Sequence, residues 1–276
     1  MVPKVTAQEA DLARLAAAKV VQTHVRLAEF VRAGHTLAQV DRFVEQTLAD
    51  LGCRSAFLGY KVARSPAFPS HACLSVNDCV VHGMAGSYLA PLKPGDVLKI
   101  DIGVVHKGFI GDAAWTYAIK ERGDQAERLM ECGKESLRRG VATLGPPNTY
   151  IAWARAVQGY VEGECGFHLV RGLGGHGYGR KLHMRPYVSN TLPLSPGEWP
   201  DAYTPCTAGT LVAVEPMIGV GTGETMQTDR GARGQEWPIH TADGSLSCHY
   251  EHDVLITDAE PEVLTAGLTA LPDVLG

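Results

Sequence analysis

Two neighbouring β-strand patterns in this chain each carry an aspartate in the middle. The segment LKIDIGVVHKGFIGDAAWTY covers residues 98–117 and contains Asp101 and Asp112. Asp is depleted in strands, and a buried charge is costly unless it is paired or bound to a metal. Taken alone, the segment is equally compatible with two solvent-facing aspartates at turns or edges. Features elsewhere in the sequence are therefore needed to distinguish surface from buried carboxylates.

The size and composition of the chain predict one large folded unit. Its 276 residues are 45% hydrophobic and 20% charged, which allows a sizeable α/β or α+β core. The net charge of -5 disfavours DNA or an anionic membrane as the main partner. Apolar runs fall short of the roughly 18 residues that span a bilayer. The N-terminus does not resemble a secretory signal, and the seven cysteines form no C-x-x-C pair, so we expect reduced thiols in a cytoplasm.

The order of helix and strand signals predicts a duplicated unit. Capping-box spacings at Thr6 and Thr36 predict two helices, ending near Arg32 and Gly52. Residues 54–120 then show strand and turn patterns. Two more predicted helices begin at Asp124 and Thr149, and strands continue to about residue 257. The halves share no sequence identity, but both follow the order helix, helix, strands.

Each predicted half contributes two strands that carry one carboxylate each. In the first half these are Asp101 and Asp112, and in the second half Glu215 and Glu251. A pseudo-twofold axis between the halves would bring the four acids together near the centre of the sheet. Because four carboxylates repel one another and have raised pKa values unless cations neutralise them, we expect two divalent ions here.

Two histidines extend the predicted site. His176 lies between glycines in GGHGYGRKLHMRP, and His183 follows seven positions later. A histidine in a glycine-rich turn is more often an ordinary loop residue than a ligand. One imidazole together with four carboxylates nevertheless fits a mixed site for Mn, Fe, Co or Zn.

Five segments together make the chain resemble the methionine aminopeptidases of the pita-bread metallopeptidase family, most closely the short bacterial type I enzymes. They occur in the family order and at compatible spacings over nearly the whole chain. The segments are CLSVNDCVVHG (73–83), KIDIGVVHKGFIGD (99–112), GGHGYGR (174–180), AVEPM (213–217) and SLSCHYEHDVLIT (245–257).

The resemblance implies a fold and an activity. The implied α+β pita-bread fold forms one catalytic domain over residues 1–276, with pseudo-repeats at about 1–120 and 121–260 around a curved antiparallel sheet. The implied function is removal of the initiator methionine from nascent proteins, with two divalent ions (Co, Mn, Fe or Zn) as cofactors. The expected enzyme is a cytoplasmic monomer without DNA or membrane partners, and its association with the ribosome stays open.

The resemblance also assigns roles to individual residues. Asp101 would chelate one ion, Asp112 and Glu251 would bridge, and His176 with Glu215 would complete the shell of the other. Glu215 is the implied proton shuttle, His82 would contact the substrate near the scissile amide, and His183 would hold the carbonyl oxygen or its oxyanion. The implied methionine pocket consists of Tyr60, Phe68, Cys73, Leu182 and Trp237. His106, His249 and His252 receive no role beyond packing of His252.

Two alternatives and several departures remain. An Xaa-Pro peptidase on the same fold and a non-catalytic pita-bread binding protein are the competing interpretations.

Three loops are longer than usual in the family: the one between Tyr60 and Phe68, the one before Glu215, and TDRGARGQEWPIHTADG (228–244). Met184 and Arg185 also stand where many relatives have acidic residues. These departures concern substrate preference and not the metal site.

Overall fold

The computed structural model describes residues 2–62, 65–195, 197–227 and 237–276. In these ranges the α-helices are α1 (Ala7–Phe30), α2 (Leu37–Asp50), α3 (Asp124–Val141) and α4 (Ile151–Gln158). A π-helix (Gly159–Cys165) continues α4, and a 3₁₀-helix (Ala266–Ala270) lies near the C-terminus. Within the described ranges, none of the helices combines the length and apolarity that crossing a membrane requires.

The strands form two five-stranded and two three-stranded sheets within the described ranges. One large sheet has the order β1-β4-β5-β16, with β2 paired to β4, and the other has the order β15-β14-β9-β7-β8. The strands are β1 (Arg54–Ser55), β2 (Cys73–Val76), β3 (Cys79–Val81), β4 (Val97–His106), β5 (Phe109–Ile119), β6 (His168–Leu169), β7 (Gly174–Gly177), β8 (Met184–Ser189), β9 (Leu211–Val214), β10 (Met217–Gly219), β11 (Thr225–Met226), β12 (Ile239–Thr241), β13 (Ser247–His249), β14 (His252–Leu255), β15 (Glu262–Val263) and β16 (Val274–Leu275).

The first two helices form as predicted. Thr6 and Thr36 each accept a hydrogen bond from the backbone three residues later, and Glu9 and Gln39 complete the two capping boxes. Helix α1 packs against β5 so closely that a Cβ at Gly111 would lie 2.7 Å from the backbone of Ala16. This approach buries the apolar face of α1 under the sheet that carries the aspartates.

The fourth helix and two of the strands differ from the prediction. Helix α4 begins at Ile151 rather than at Thr149, and its final turns widen into the π-helix. Glu215 lies just after β9 and Glu251 just before β14, so neither is inside a strand. The prediction that each of four strands carries a carboxylate is therefore correct only for Asp101 and Asp112.

The two large sheets meet along β5 and β14. The backbone N–H of Asp112 donates to Asp253 Oδ2 at 2.9 Å, and the N–H of Glu251 donates to the carbonyl oxygen of Ala114 at 2.8 Å. Sheet pairing is antiparallel except for β16, which pairs with β5 in parallel. These bonds hold the two sheets side by side, and carboxylates from both halves line one cavity.

Described parts of two of the three enlarged loops, including Tyr60, Phe68 and Trp237, line the cavity beside the carboxylates. The segment between Tyr60 and Phe68 folds back on itself, since the N–H of Phe68 donates to the carbonyl oxygen of Tyr60 at 2.8 Å. Residues 63–64, 196 and 228–236 of these loops lie outside the described residues. The seven cysteines all lie within the described residues and form no disulfide bonds.

Candidate metal centre

The β4–β5 hairpin aims two aspartates at the same side of the sheet. Asp101 pairs with Ala114 in the ladder, and Asp112 lies two residues before Ala114 on the same strand. Because side chains alternate along a strand, Asp101 and Asp112 are diagonal neighbours on one face. The opposite face of β4 carries Ile100 and Ile102, both fully buried in the core.

The second sheet brings the other predicted donors to the same place. His176 on β7 pairs with Ala213 of β9, two residues before Glu215. Close approach requires glycine beside it, since a Cβ at Gly175 would lie 2.3 Å from the carbonyl oxygen of Ala213. The Asn190 side chain donates to the carbonyl oxygen of Glu215 at 2.9 Å, which fixes the backbone where β9 ends.

The ligand atoms form two groups that share Glu251. One group is Asp112, His176 and Glu251, and the other is Glu215, His249 and Glu251, with the donor atoms of each group within 4.8 Å of one another. Asp101 belongs to neither group, but it lines the same cavity. The shared carboxylate has the position expected of a bridge between two ions.

Burial makes the metal-free site unfavourable for charged carboxylates. It raises the pKa of Asp101 to about 7 and that of Glu215 to about 8. Burial and the charge of the other acids raise the pKa values of Asp112 and Glu251 well above their usual range. A bound cation would reverse this penalty, because it favours the ionised form of each acid.

The donor set fits divalent cations. Asp101 Oδ1 and Asp112 Oδ1 are buried and lack hydrogen-bond partners among the described residues. Burial also lowers the pKa of His176 to about 3, so its imidazole is neutral and can act as a ligand. Carboxylate oxygens together with imidazole nitrogen suit first-row divalent ions.

The two other predicted histidines lie at the edge of this cluster. The His183 ring packs on the His176 ring, with the centroids 4.3 Å apart. His82 has a left-handed backbone (φ 58°), and its ring contacts Trp237 edge-on at 6.0 Å. Burial lowers the pKa values of both His82 and His183, so both rings are neutral near pH 7.

An apolar cavity of about 570 Å³ opens directly above the donors. Trp237 forms one wall: it packs edge-on against Phe68 at 5.4 Å and donates its indole N–H to the carbonyl oxygen of Pro66 at 3.1 Å. The cavity is lined by every residue that the sequence assigned to substrate contact, namely Tyr60, Phe68, Cys73, His82, Leu182, His183 and Trp237. Phe57, Val81 and Met217 also line it and were not predicted.

Two polar residues of the site were missed by sequence reasoning. His249 Nε2 lies 3.1 Å from Glu215 Oε2, and Asp253, which is fully buried, accepts the backbone N–H of Asp112. Together with Glu251 they occupy alternate positions, a spacing of two that is typical of one strand face. That spacing is the sequence signal that could have identified both.

The residues that follow His183 lie at the mouth of the cavity. Met184 and Arg185 both line it. Arg185 forms an ion pair with Asp201, whose carboxylate also accepts the backbone N–H of Tyr187 at 3.0 Å. The positive charge at this position is therefore balanced within the protein.

Comparison with known proteins identifies the class to which this fold and site belong. The model of metallopeptidase family M24 matches residues 11–258. Together with the pita-bread arrangement and the divalent donor set, this match defines a metal-dependent hydrolase.

Individual relatives narrow the class. The chain is 38% identical to a methionine aminopeptidase of Clostridium perfringens over 93% of this chain and 96% of that protein. It is 37% identical to methionine aminopeptidase 1 of Mycobacterium tuberculosis over 97% and 96% of the two chains. The crystal structure of the Thermotoga maritima methionine aminopeptidase superimposes with a TM-score of 0.86 at 29% identity, covering 96% of this chain and 99% of that one. The chain thus belongs to the methionine aminopeptidases of family M24.

Proposed function

We propose that this protein removes the N-terminal methionine from new polypeptides. The observation that carries the proposal is the position of the donor cluster at the base of an apolar cavity whose walls hold aromatic and sulfur-containing side chains. Such a lining suits a thioether side chain. A cavity of about 570 Å³ has room for one residue and the peptide bond that follows it.

The family resemblance supplies the ligand roles. Asp101 would hold one ion, Asp112 and Glu251 would contribute to both, and His176 with Glu215 would complete the shell of the other. The donor groups support the shared position of Glu251, which belongs to both of them. When bound, two divalent cations would acidify a water molecule, polarise the scissile carbonyl group and offer a place for the free α-amine of the substrate.

The residues of the chain then move the proton and hold the oxygen. Glu215 lines the cavity, and its ionised carboxylate accepts the proton of the attacking water and delivers it to the departing amine. His183 donates to the carbonyl oxygen as negative charge develops on it. His82, held against Trp237, contacts the substrate near the scissile amide.

The wider role rests on the same family. The substrate is the initiator methionine of nascent polypeptides, and the protein acts as a cytoplasmic monomer with Co, Mn, Fe or Zn as its metal. Residues 1–276 work as one domain of two pseudo-repeats. Contact with the ribosome would give the enzyme early access to that methionine.

Release of methionine from a Met-Ala-Ser tripeptide by metal-stripped protein tests the proposal. Titration with Mn, Co, Fe and Zn should restore activity, and Glu215→Ala should stay inactive. An Xaa-Pro dipeptide series serves as the comparison substrate. Turnover of Xaa-Pro substrates without release of methionine would replace the proposed function with the competing peptidase activity, and folded protein that binds no metal would favour the non-catalytic interpretation.

A further inference from the structure

A short hydrogen bond joins the two sides of the cavity above the donor cluster. The hydroxyl group of Tyr60 lies 2.5 Å from His183 Nδ1, and the two ring centroids are 5.2 Å apart. Tyr60 comes from the loop after β1, and His183 from the turn before β8. The pair therefore connects the first half of the chain to the second across the cavity that both residues line.

The backbone around Tyr60 fixes the direction of its side chain. Its N–H donates to the carbonyl oxygen of Phe57, and its own carbonyl oxygen accepts the N–H of Phe68, both at 2.8 Å. Gly59, with φ of 81°, donates to the carbonyl oxygen of Phe68 at 2.8 Å. A residue held by bonds on both sides can present its hydroxyl group to one fixed point, and here that point is His183.

The tyrosine donates the proton of this hydrogen bond. Among the described residues, His183 Nδ1 is the one hydrogen-bond acceptor within reach of the Tyr60 hydroxyl group. Donation from Tyr60 satisfies that hydrogen and leaves the imidazole proton on Nε2.

We propose that Tyr60 is a positioning residue that fixes His183 as the Nε2–H tautomer, so that Nε2 donates to the carbonyl oxygen of the substrate. The proposal rests on the proposed function for the role of His183. It gives Tyr60 a second task besides lining the pocket. The opposite tautomer would present a lone pair to the developing oxyanion and repel it.

Nitrogen-15 NMR of the zinc-loaded protein tests the tautomer directly. Zinc is diamagnetic, and the His183→Asn variant assigns the His183 signals among the 11 histidines. We expect the His183 pattern of a protonated Nε2 and an accepting Nδ1. In Tyr60→Phe, which keeps the ring but lacks the hydroxyl group, we expect a mixture of tautomers. A protonated Nδ1 in the unmodified protein, or an unchanged pattern in Tyr60→Phe, would overturn the proposal.

Kinetics supplies the second readout. Tyr60→Phe should lower kcat about 3- to 10-fold, the range expected for one lost hydrogen bond, with KM for Met-Ala-Ser nearly unchanged. Affinity for a phosphonic acid analogue of methionine, which carries a tetrahedral oxyanion, should fall by the same factor. Affinity for free methionine should not change. A rise in KM with constant kcat would mean that Tyr60 only lines the pocket, which also overturns the proposal.

Tyr187→Phe is the matched control. Tyr187 lines the same cavity, but its hydroxyl group faces Ser189. Its removal should leave the His183 tautomer as in the unmodified protein. The NMR result does not depend on turnover, so failure of the proposed function and failure of this inference can be told apart. An inactive protein in which His183 shows the expected tautomer contradicts the proposed function. An active protein in which the His183 tautomer does not change in Tyr60→Phe contradicts the role of Tyr60.

Discussion

The two halves of the molecule present their carboxylates in different ways. In the first half, Asp101 and Asp112 belong to the continuous strands β4 and β5, which pair over their full lengths. In the second half, the chain is interrupted at each acid. Glu215 separates β9 from β10, and Glu251 separates β13 from β14. Carboxylates are thus held on paired β-strands in the first half and at interruptions between consecutive β-strands in the second half.

The breaks have identifiable causes. Pro216 follows Glu215 and has no N–H to continue a ladder. The backbone N–H of Glu251 donates not to a strand of its own sheet but to the carbonyl oxygen of Ala114 in the other half. The hydroxyl group of Thr116 likewise donates to the carbonyl oxygen of His249 at 2.6 Å.

This difference teaches that the halves have unequal tasks. The hairpin of the first half is a rigid base whose alternation alone aims its aspartates. At Glu251 the second half replaces ladder bonds with a bond to the first half, whereas Glu215 is held by Asn190 of its own half. The donor atoms come from both halves, so the proposed metal centre forms only when the two halves pack together.

Removal of one acid from each half gives the largest expected effect. Asp112→Asn and Glu251→Gln each keep the shape of the side chain but lose the charge of a proposed bridging ligand. Both should lower metal-dependent release of methionine by more than about 100-fold, because loss of a direct ligand exceeds the 10- to 100-fold effect of an outer contact. Steady-state kinetics with each metal and calorimetric metal titration measure the losses.

Glu260→Gln is the control for this pair, since Glu260 is exposed on the surface and far from the cavity lining. Its activity should match that of the unmodified protein. Equal losses in the two bridging variants would show that ladder and break serve one centre. Substantial activity in either variant would contradict its assignment as a bridge.

The next effect is on the stability of the metal-free protein, and its sign follows from the raised pKa values. Acids with pKa near 4 in the unfolded chain titrate at about 7 for Asp101 and about 8 for Glu215 in the folded one. The stabilisation from their protonated forms is present below pH 4 and is lost as pH rises through 7 and 8. We therefore expect the metal-free protein to lose a few kcal/mol of unfolding free energy over that range.

Denaturant unfolding at several pH values, with and without metal, measures this loss. Asp101→Asn should remove the part of the decline that ends near pH 7, and Glu215→Gln the part that continues to about pH 8, so the contribution of Glu215 can be seen separately between pH 7 and 8. Metal should reverse the trend, because its ligands bind as ionised acids. Stability of the metal-free protein that is constant from pH 5 to about 8.5 would contradict the prediction.

A smaller effect is expected at His249, whose imidazole belongs to the donor group of Glu215 and Glu251. Its Nε2 bonds Glu215 Oε2, which restrains the orientation of that ligand. His249→Ala should weaken metal binding by about 10- to 100-fold. His249→Gln can still donate a hydrogen bond from its amide and should recover most of the affinity. If calorimetric titration shows that His249→Gln binds metal as weakly as His249→Ala, then metal binding requires the imidazole ring and not only its hydrogen bond.

The same contrast explains what the sequence could predict. Asp101 and Asp112 follow from alternation, and the capping boxes at Thr6 and Thr36 mark both helix starts. The strand breaks could not be predicted in this way, because a bond such as Glu251 N–H to Ala114 joins residues far apart in the chain. The spacing of two between His249 and Glu251 was available in the sequence, but the contact of His249 with Glu215, 34 positions away, was not.

The smallest expected effect concerns the proline at the first break. Pro216→Ala restores a backbone N–H, but two other bonds still hold the break: Asn190 to the carbonyl oxygen of Glu215, and Tyr250 N–H to that of residue 216. We expect a loss of about 0.4–1 kcal/mol in unfolding free energy from the more flexible unfolded chain, and metal affinity within about twofold. Denaturant unfolding and metal titration measure the two quantities. A tenfold loss of metal affinity would show instead that the proline alone orients Glu215 toward the proposed metal site, and the strand break would then be a property of local sequence and not of the bonds from Asn190 and Tyr250.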